Sequence, residues 1–101
     1  MPDKEWIVPR GKFTLMIRRR TENGEYRSFA VVLFAFHAGK LVDISRYDTA
    51  HGYPHRDVQG ITEGLRGKLP LRSMSFRQAF HYAIRDFEQN AEIYLADFLA
   101  Y

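Results

Sequence analysis

The run Phe29-Ala30-Val31-Val32-Leu33-Phe34-Ala35-Phe36 is apolar at eight consecutive positions, and it constrains the fold more than any other part of the chain. It is too short to cross a membrane. Its β-branched and aromatic content favours a strand over a helix. Side chains alternate along a strand, so Ala30, Val32, Phe34 and Phe36 share one face and Phe29, Val31, Leu33 and Ala35 the other. A strand apolar on both faces belongs inside a sheet, with cover above and below.

The flanks supply the neighbouring strands. Asn23-Gly24 is among the strongest short hairpin signals, and Ala38-Gly39-Lys40 is a second turn. Lys12 to Arg20 reads as a strand, with Phe13, Leu15 and Ile17 on one side and Thr14, Met16 and Arg18 on the other. Leu41 to Asp48 reads as a third strand. Val42, Ile44, Arg46 and Asp48 share one face there; if that face looks into the core, the core opens into a polar pocket at this end. Residues 1–11 read as a leader in which Pro2, Pro9 and Gly11 discourage regular structure and Trp6-Ile7-Val8 forms a small apolar anchor. His55–Ile61 reads as extended, Gly64 and Gly67 as a turn, and Lys68–Leu71 as a short edge strand interrupted by Pro70.

Ser75-Phe76-Arg77-Gln78 fits a capping box. Phe76, Phe80, Ala83, Phe87, Ala91, Tyr94 and Phe98 then recur at helical spacing. A helix over 75–99 spans about 37 Å at 1.5 Å per residue, against a radius of gyration of about 13 Å for a domain of this size. It is therefore expected to overhang its sheet. The fold class is α+β: a mostly antiparallel sheet of three to five strands with a long C-terminal helix. The whole forms one domain, with a leader over 1–11, sheet and loops over 12–72, and the helix over 75–99. One helix covers one sheet face. A homodimer, or a partner protein, is the expected cover for the other, with a folded-back leader and 58–72 segment as the alternative.

The chain has no cysteine, which excludes a disulfide framework, a thiolate metal site and a thiol nucleophile. No signal peptide or membrane span is visible, so a cytoplasmic location is expected. The net charge of +3 is unevenly spread. Residues 75–101 hold two Arg and four acids, and residues 1–74 hold 15 − 2 = 13 basic residues against 12 − 4 = 8 acids. The sheet region is basic, which favours polyanions. In Arg18-Arg19-Arg20, alternation keeps the three from forming one patch, and a solubilised strand edge competes with RNA contact.

The chemistry gathers in Arg46-Tyr47-Asp48-Thr49-Ala50-His51-Gly52-Tyr53-Pro54-His55-Arg56-Asp57, where a strand gives way to a loop. A metal-independent ribonuclease needs a base for the 2′-hydroxyl, an acid for the leaving oxygen and cations for the phosphorane. His51 and His55 suit the acid and base, Arg46 and Arg56 the phosphate, and Tyr47 and Tyr53 base stacking. Asp48 or Asp57 would orient a histidine. A metal set of His51, His55 and Asp48 or Asp57 is the rival chemistry, and a purely structural polar turn is the bland one.

Arg46-Tyr47-Asp48-Thr49-Ala50-His51, followed by Pro54-His55, resembles the RYDNAPHH…PHH signature of the TumE-like toxins of bacterial toxin–antitoxin modules. It is similar also to a related group of small uncharacterised bacterial domains with a DTAHG…H core and a C-terminal helix. The resemblance implies a ribosome-dependent mRNA interferase, an RNA or ribosome partner and a neutralising antitoxin. Arg46, Asp48, His51 and His55 match the motif; Gly52 and Arg56-Asp57 stand where the toxins double their histidines. The expectation is an RNA-directed, toxin-like endoribonuclease with His51 and His55 as acid and base, Asp48 orienting, and no metal or other cofactor. The alternative is a non-catalytic dimeric binding or assembly module.

Overall fold

The computed structural model describes residues 3–101. Six strands run as an antiparallel meander in the order β1-β2-β3-β4-β5-β6. They are β1 (Asp3–Arg10), β2 (Phe13–Glu22), β3 (Glu25–His37), β4 (Lys40–Asp48), β5 (His55–Gly60) and β6 (Gly64–Pro70). A single helix, α1 (Phe76–Ala100), follows. The architecture is α+β as expected, with one strand more than the upper expectation.

Turn chemistry explains the meander. Asn23 and Gly24 have φ of 52° and 79°, and Ala38 and Gly39 have 51° and 78°. Two successive left-handed residues make the tight hairpin turn that matches strand twist. The extra strand is the supposed leader, which pairs with β2 from Asp3↔Arg20 to Arg10↔Phe13. Pro9 is tolerated because β1 is an edge strand; Pro2 lies outside the described residues. The pairing also makes β2 an interior strand. Its three arginines are therefore separated by face: Arg18 is exposed, while Arg19 donates to the Tyr26 hydroxyl at 2.9 Å.

Helix α1 packs on one face of the sheet. Ser75 caps it, accepting from the Gln78 amide while the Gln78 side chain accepts from the Ser75 amide. Phe80, Ala83, Phe87, Leu95 and Phe98 bury against Phe13, Leu15, Ile17, Val31 and Leu33. Phe80 alone meets the rings of Trp6, Tyr26 and Phe29, and full burial of such a side chain stabilises by roughly 1.5–3 kcal/mol. The helix does not overhang. Its far end is held by the β5–β6 turn, where Thr62 and Glu63 amides donate to the Tyr101 carbonyl at 3.1 and 2.9 Å. Gly60 lets this turn close, because a Cβ there would sit 2.7 Å from the Tyr101 backbone.

The opposite face is left open. The two segments that were alternatives for covering it are built into the sheet, β1 at one edge and β5–β6 towards the other. Ile7, Phe36 and Leu41 are 64%, 59% and 54% exposed, with Met16 and Phe34 half-buried beside them. The helix spends its apolar stripe, Tyr94 and Phe98 included, inside the chain. Among the described residues no helix is long and apolar enough to cross a membrane.

Candidate functional site

A β-bulge builds the site. Leu33 pairs with Ser45 and Phe34 with Asp43, so Ile44 is the extra residue in β4. The bulge breaks the alternation that a plain strand would carry. Val42 and Ile44 join the core under the helix, whereas Arg46 and Asp48 emerge on the open face. The expected core that opens into a polar pocket is thereby corrected: aliphatic and ionic residues of β4 lie on opposite sides of the sheet.

Three strands then align the polar residues of the open face. Asp48 pairs with His55, and Arg46 pairs with Asp57. Lys68 on β6 pairs with Asp57 in turn. On the other flank Ala30 lies between Arg18 and Asp48. It lines an open groove of about 370 Å³ together with Arg18, Arg46, Asp48, Thr49 and Ala50.

Thr49 carries the β3–β4 pairing into the loop. Its amide donates to the Phe29 carbonyl at 3.2 Å, and its Oγ1 accepts from the Phe29 amide at 3.1 Å. Asp48 Oδ1 then accepts from the Ala50 amide at 3.0 Å, closing an Asx turn. His51 and Gly52 follow with φ of 69° and 88°, which reverses the chain towards β5. A left-handed non-glycine residue costs about 1–2 kcal/mol, so the loop holds an exposed histidine in a conformation that side chains seldom take.

His55 is the opposite case: its side chain is 0% exposed. Nδ1 lies 3.2 Å from the Tyr53 carbonyl, which can only accept, so Nδ1 donates. Nε2 faces Asp48 Oδ1 at 3.1 Å and Asp57 Oδ1 at 3.4 Å. Lys68 Nζ stands 3.4 Å from the same nitrogen and 2.8 Å from Asp57 Oδ1. The hydrogen bond to Asp57 raises the Lys68 ammonium above its ordinary value. The hydrogen bond to Asp43, at 2.8 Å, does the same for Arg46, against the opposing effect of burial.

The structure brings Arg46, Asp48, His51, Tyr53 and His55 together. The His51 and His55 rings are 6.4 Å apart between centroids, and those of Tyr53 and His55 are 5.4 Å apart. It separates Tyr47 and Arg56 from them. Both point under the helix, because they alternate with Asp48 and His55 along their strands. Tyr47 is buried and donates to Asp86 Oδ2 at 2.7 Å. Burial, then that hydrogen bond, raises its phenol far above the ordinary value. Arg56 donates to Ser45 Oγ at 3.2 Å and lies 4.6 Å from the centre of the Tyr94 ring. Base stacking by Tyr47 and phosphate binding by Arg56 are therefore corrected: the core has claimed both side chains.

Asp57, Lys68 and Arg18 take the vacated places on the open face. Lys68 carried no sequence signal, since it comes 13 positions after His55 in a weak strand and only the register unites them. The metal-capable set is likewise different from the expected pair of histidines. Asp48, His55 and Asp57 bring one nitrogen and two carboxylate oxygens within 4.8 Å of one another.

No curated protein and no solved structure matches the chain. A family model described as a domain of unknown function, DUF7718, matches residues 1–101. The chain belongs to that family.

Proposed function

We propose that this chain is an RNA-directed, toxin-like protein that engages the phosphodiester backbone on the open face of its sheet, with His51 as the acid–base residue. One observation carries the reading. The exposed His51 is held in a left-handed conformation directly after Ala50, which lines a groove together with the two arginines Arg18 and Arg46. Guanidinium groups suit phosphate by geometry and charge, and an open sheet face accepts a single strand whose bases can stack on a side chain such as Tyr53.

Of the pair His51 and His55, His51 is the one that solvent and substrate can reach. In the proposed reaction it takes the proton from the 2′-hydroxyl as that oxygen attacks the adjacent phosphorus. Arg18 and Arg46 balance the charge that builds on the phosphorane. The P–O5′ bond breaks, the leaving oxygen takes a proton from solvent, and a 2′,3′-cyclic phosphate remains. His55 is buried below, so it supports the loop and the local charge without meeting the substrate. The resemblance of Arg46, Asp48, His51 and His55 to the TumE-like motif supports the same reading, with an antitoxin as the cognate partner.

The test is growth of a bacterial culture on tightly controlled induction. Wild type is expected to arrest growth, and His51→Asn to leave it unaffected while accumulating as folded protein. Asparagine tolerates the left-handed backbone that His51 adopts, so the exchange removes the imidazole without straining the loop. Arrest by both proteins would remove His51 from its role.

The second reading is a non-catalytic assembly module. The exposed Ile7, Phe36 and Leu41 favour it, since together with Met16 and Phe34 they form an apolar strip on the open face. That reading predicts self-association lost on Phe36→Lys, and full function in His51→Asn.

A further inference from the structure

We infer that Asp48, His55 and Asp57 form a divalent metal site in which the Lys68 ammonium is the displaceable occupant. This departs from the metal-free expectation. It stands apart from the RNA reading, because it rests only on the geometry around His55 Nε2.

A lysine ammonium already occupies the point on which His55 Nε2 and two carboxylates converge, and its fit to Nε2 is poor. Nδ1 donates to the Tyr53 carbonyl at 3.2 Å, which leaves Nε2 as the only variable atom of a fully buried ring. If Nε2 carries a proton, it satisfies Asp48 at 3.1 Å and Asp57 at 3.4 Å. The imidazolium then faces the Lys68 ammonium at 3.4 Å, two cations in contact. If Nε2 is bare, it accepts from Lys68. Its lone pair then confronts the Asp48 oxygen at 3.1 Å with no proton between them. In both arrangements the Lys68 ammonium stays paired with Asp57 at 2.8 Å, and among the described residues no buried side-chain polar atom is left without a partner. A divalent cation in place of the ammonium would remove the like-charge or lone-pair contact at Nε2, because it turns three converging lone pairs into three ligands.

The dimensions agree. Ligands at about 2.1 Å in cis positions of an octahedron lie about 3 Å apart, close to the two separations at Nε2. The supporting contacts are those of a metal centre. A ligating histidine typically donates its other nitrogen to a carbonyl, and ligating carboxylates are themselves hydrogen-bonded; here these are the Tyr53 carbonyl and the Ala50 amide on Asp48 Oδ1. One imidazole with two carboxylates suits Mn²⁺ among the divalent ions, with water completing the shell. Lys68 reaches in from the exposed edge strand β6, so it can swing out without disturbing the sheet.

The experiment uses the full chain, stripped with a chelator, desalted and titrated with MnCl2. Free Mn²⁺ is followed by electron paramagnetic resonance and the heat by calorimetry. Wild type is expected to bind one Mn²⁺ per chain, Lys68→Met to bind at least tenfold more tightly, and Asp57→Asn at least tenfold more weakly. Circular dichroism of each variant without metal confirms the fold. The inference is overturned if wild type shows no saturable binding, even where Lys68→Met does. Binding indifferent to Asp57→Asn would overturn it too.

Discussion

Tyr47→Phe separates the two lives that a tyrosine in the Arg46–Asp57 segment can lead. In the structure its hydroxyl donates to Asp86, a carboxylate 8% exposed on the buried side of the helix. Tyr94 donates to the same oxygen, and Asn90 to the other at 2.8 Å. The exchange keeps the ring, which packs 5.0 Å from Phe87 and 6.0 Å from Tyr82 between centroids, and removes one of three donors from a buried anion. A hydrogen bond to a charged group contributes about 1.5–3 kcal/mol. Since two donors remain, about 2 kcal/mol is the expected loss, a fall in Tm of roughly 8–16 °C for a domain of this length. Urea unfolding followed by Trp6 fluorescence and circular dichroism should show a lower midpoint with an unchanged slope. In a double-mutant cycle, Tyr94→Phe should couple to it by at least about 0.5 kcal/mol, because both serve Asp86. Protein that remains folded should keep its activity in cells. Unchanged stability together with lost activity would refute the assignment and return Tyr47 to the binding face.

Further outcomes follow from the same contacts. Burial, then the bond to Asp86, pushes the Tyr94 phenol up to about 12 and raises Tyr47 as well. The folded state therefore holds protons that the unfolded chain releases near the ordinary value of 10. Stability is full below pH 10 and falls towards pH 12, so a 295 nm titration should show these phenols ionising only as the fold is lost. Gly60→Ala places a Cβ 2.7 Å from the Tyr101 backbone and should cost about 1–3 kcal/mol by urea unfolding. The replacement Leu41→Lys, on the open face, should change stability by less than about 0.5 kcal/mol in the same assay.

Local chemistry makes much of the fold legible in the sequence itself. Asn23-Gly24 and Ala38-Gly39 dictate turns through their own backbone preferences, and Ser75 with Gln78 marks the helix start through two specific hydrogen bonds. The doubly apolar β3 had to lie inside the sheet, and it does, but the cover expected over both its faces is found on the helix side alone among the described residues. Features set by pairing were hidden. Pro9 argues against a strand until the strand is known to lie at an edge. Nothing in Val42-Asp43-Ile44 announces the bulge, yet it moves Arg46 and Asp48 to the face opposite Val42 and Ile44. The site divided for the same reason. Asp48, His51 and His55 were visible as a cluster, but a period of two sends Tyr47 and Arg56 under the helix. Lys68 arrives only through the β5–β6 register. Asp86 did carry a signal, an acid beside Ala83 and Phe87 on the helix stripe, where only buried donors can accommodate it.

The central claim is that exposed His51 acts on RNA at the open sheet face. It is tested most directly by mapping new RNA ends in cells soon after induction, with His51→Asn in parallel. The account predicts new breaks with 5′-hydroxyl ends and 2′,3′-cyclic phosphates in the wild type alone. No new ends in the wild type, or the same ends in His51→Asn, would contradict it.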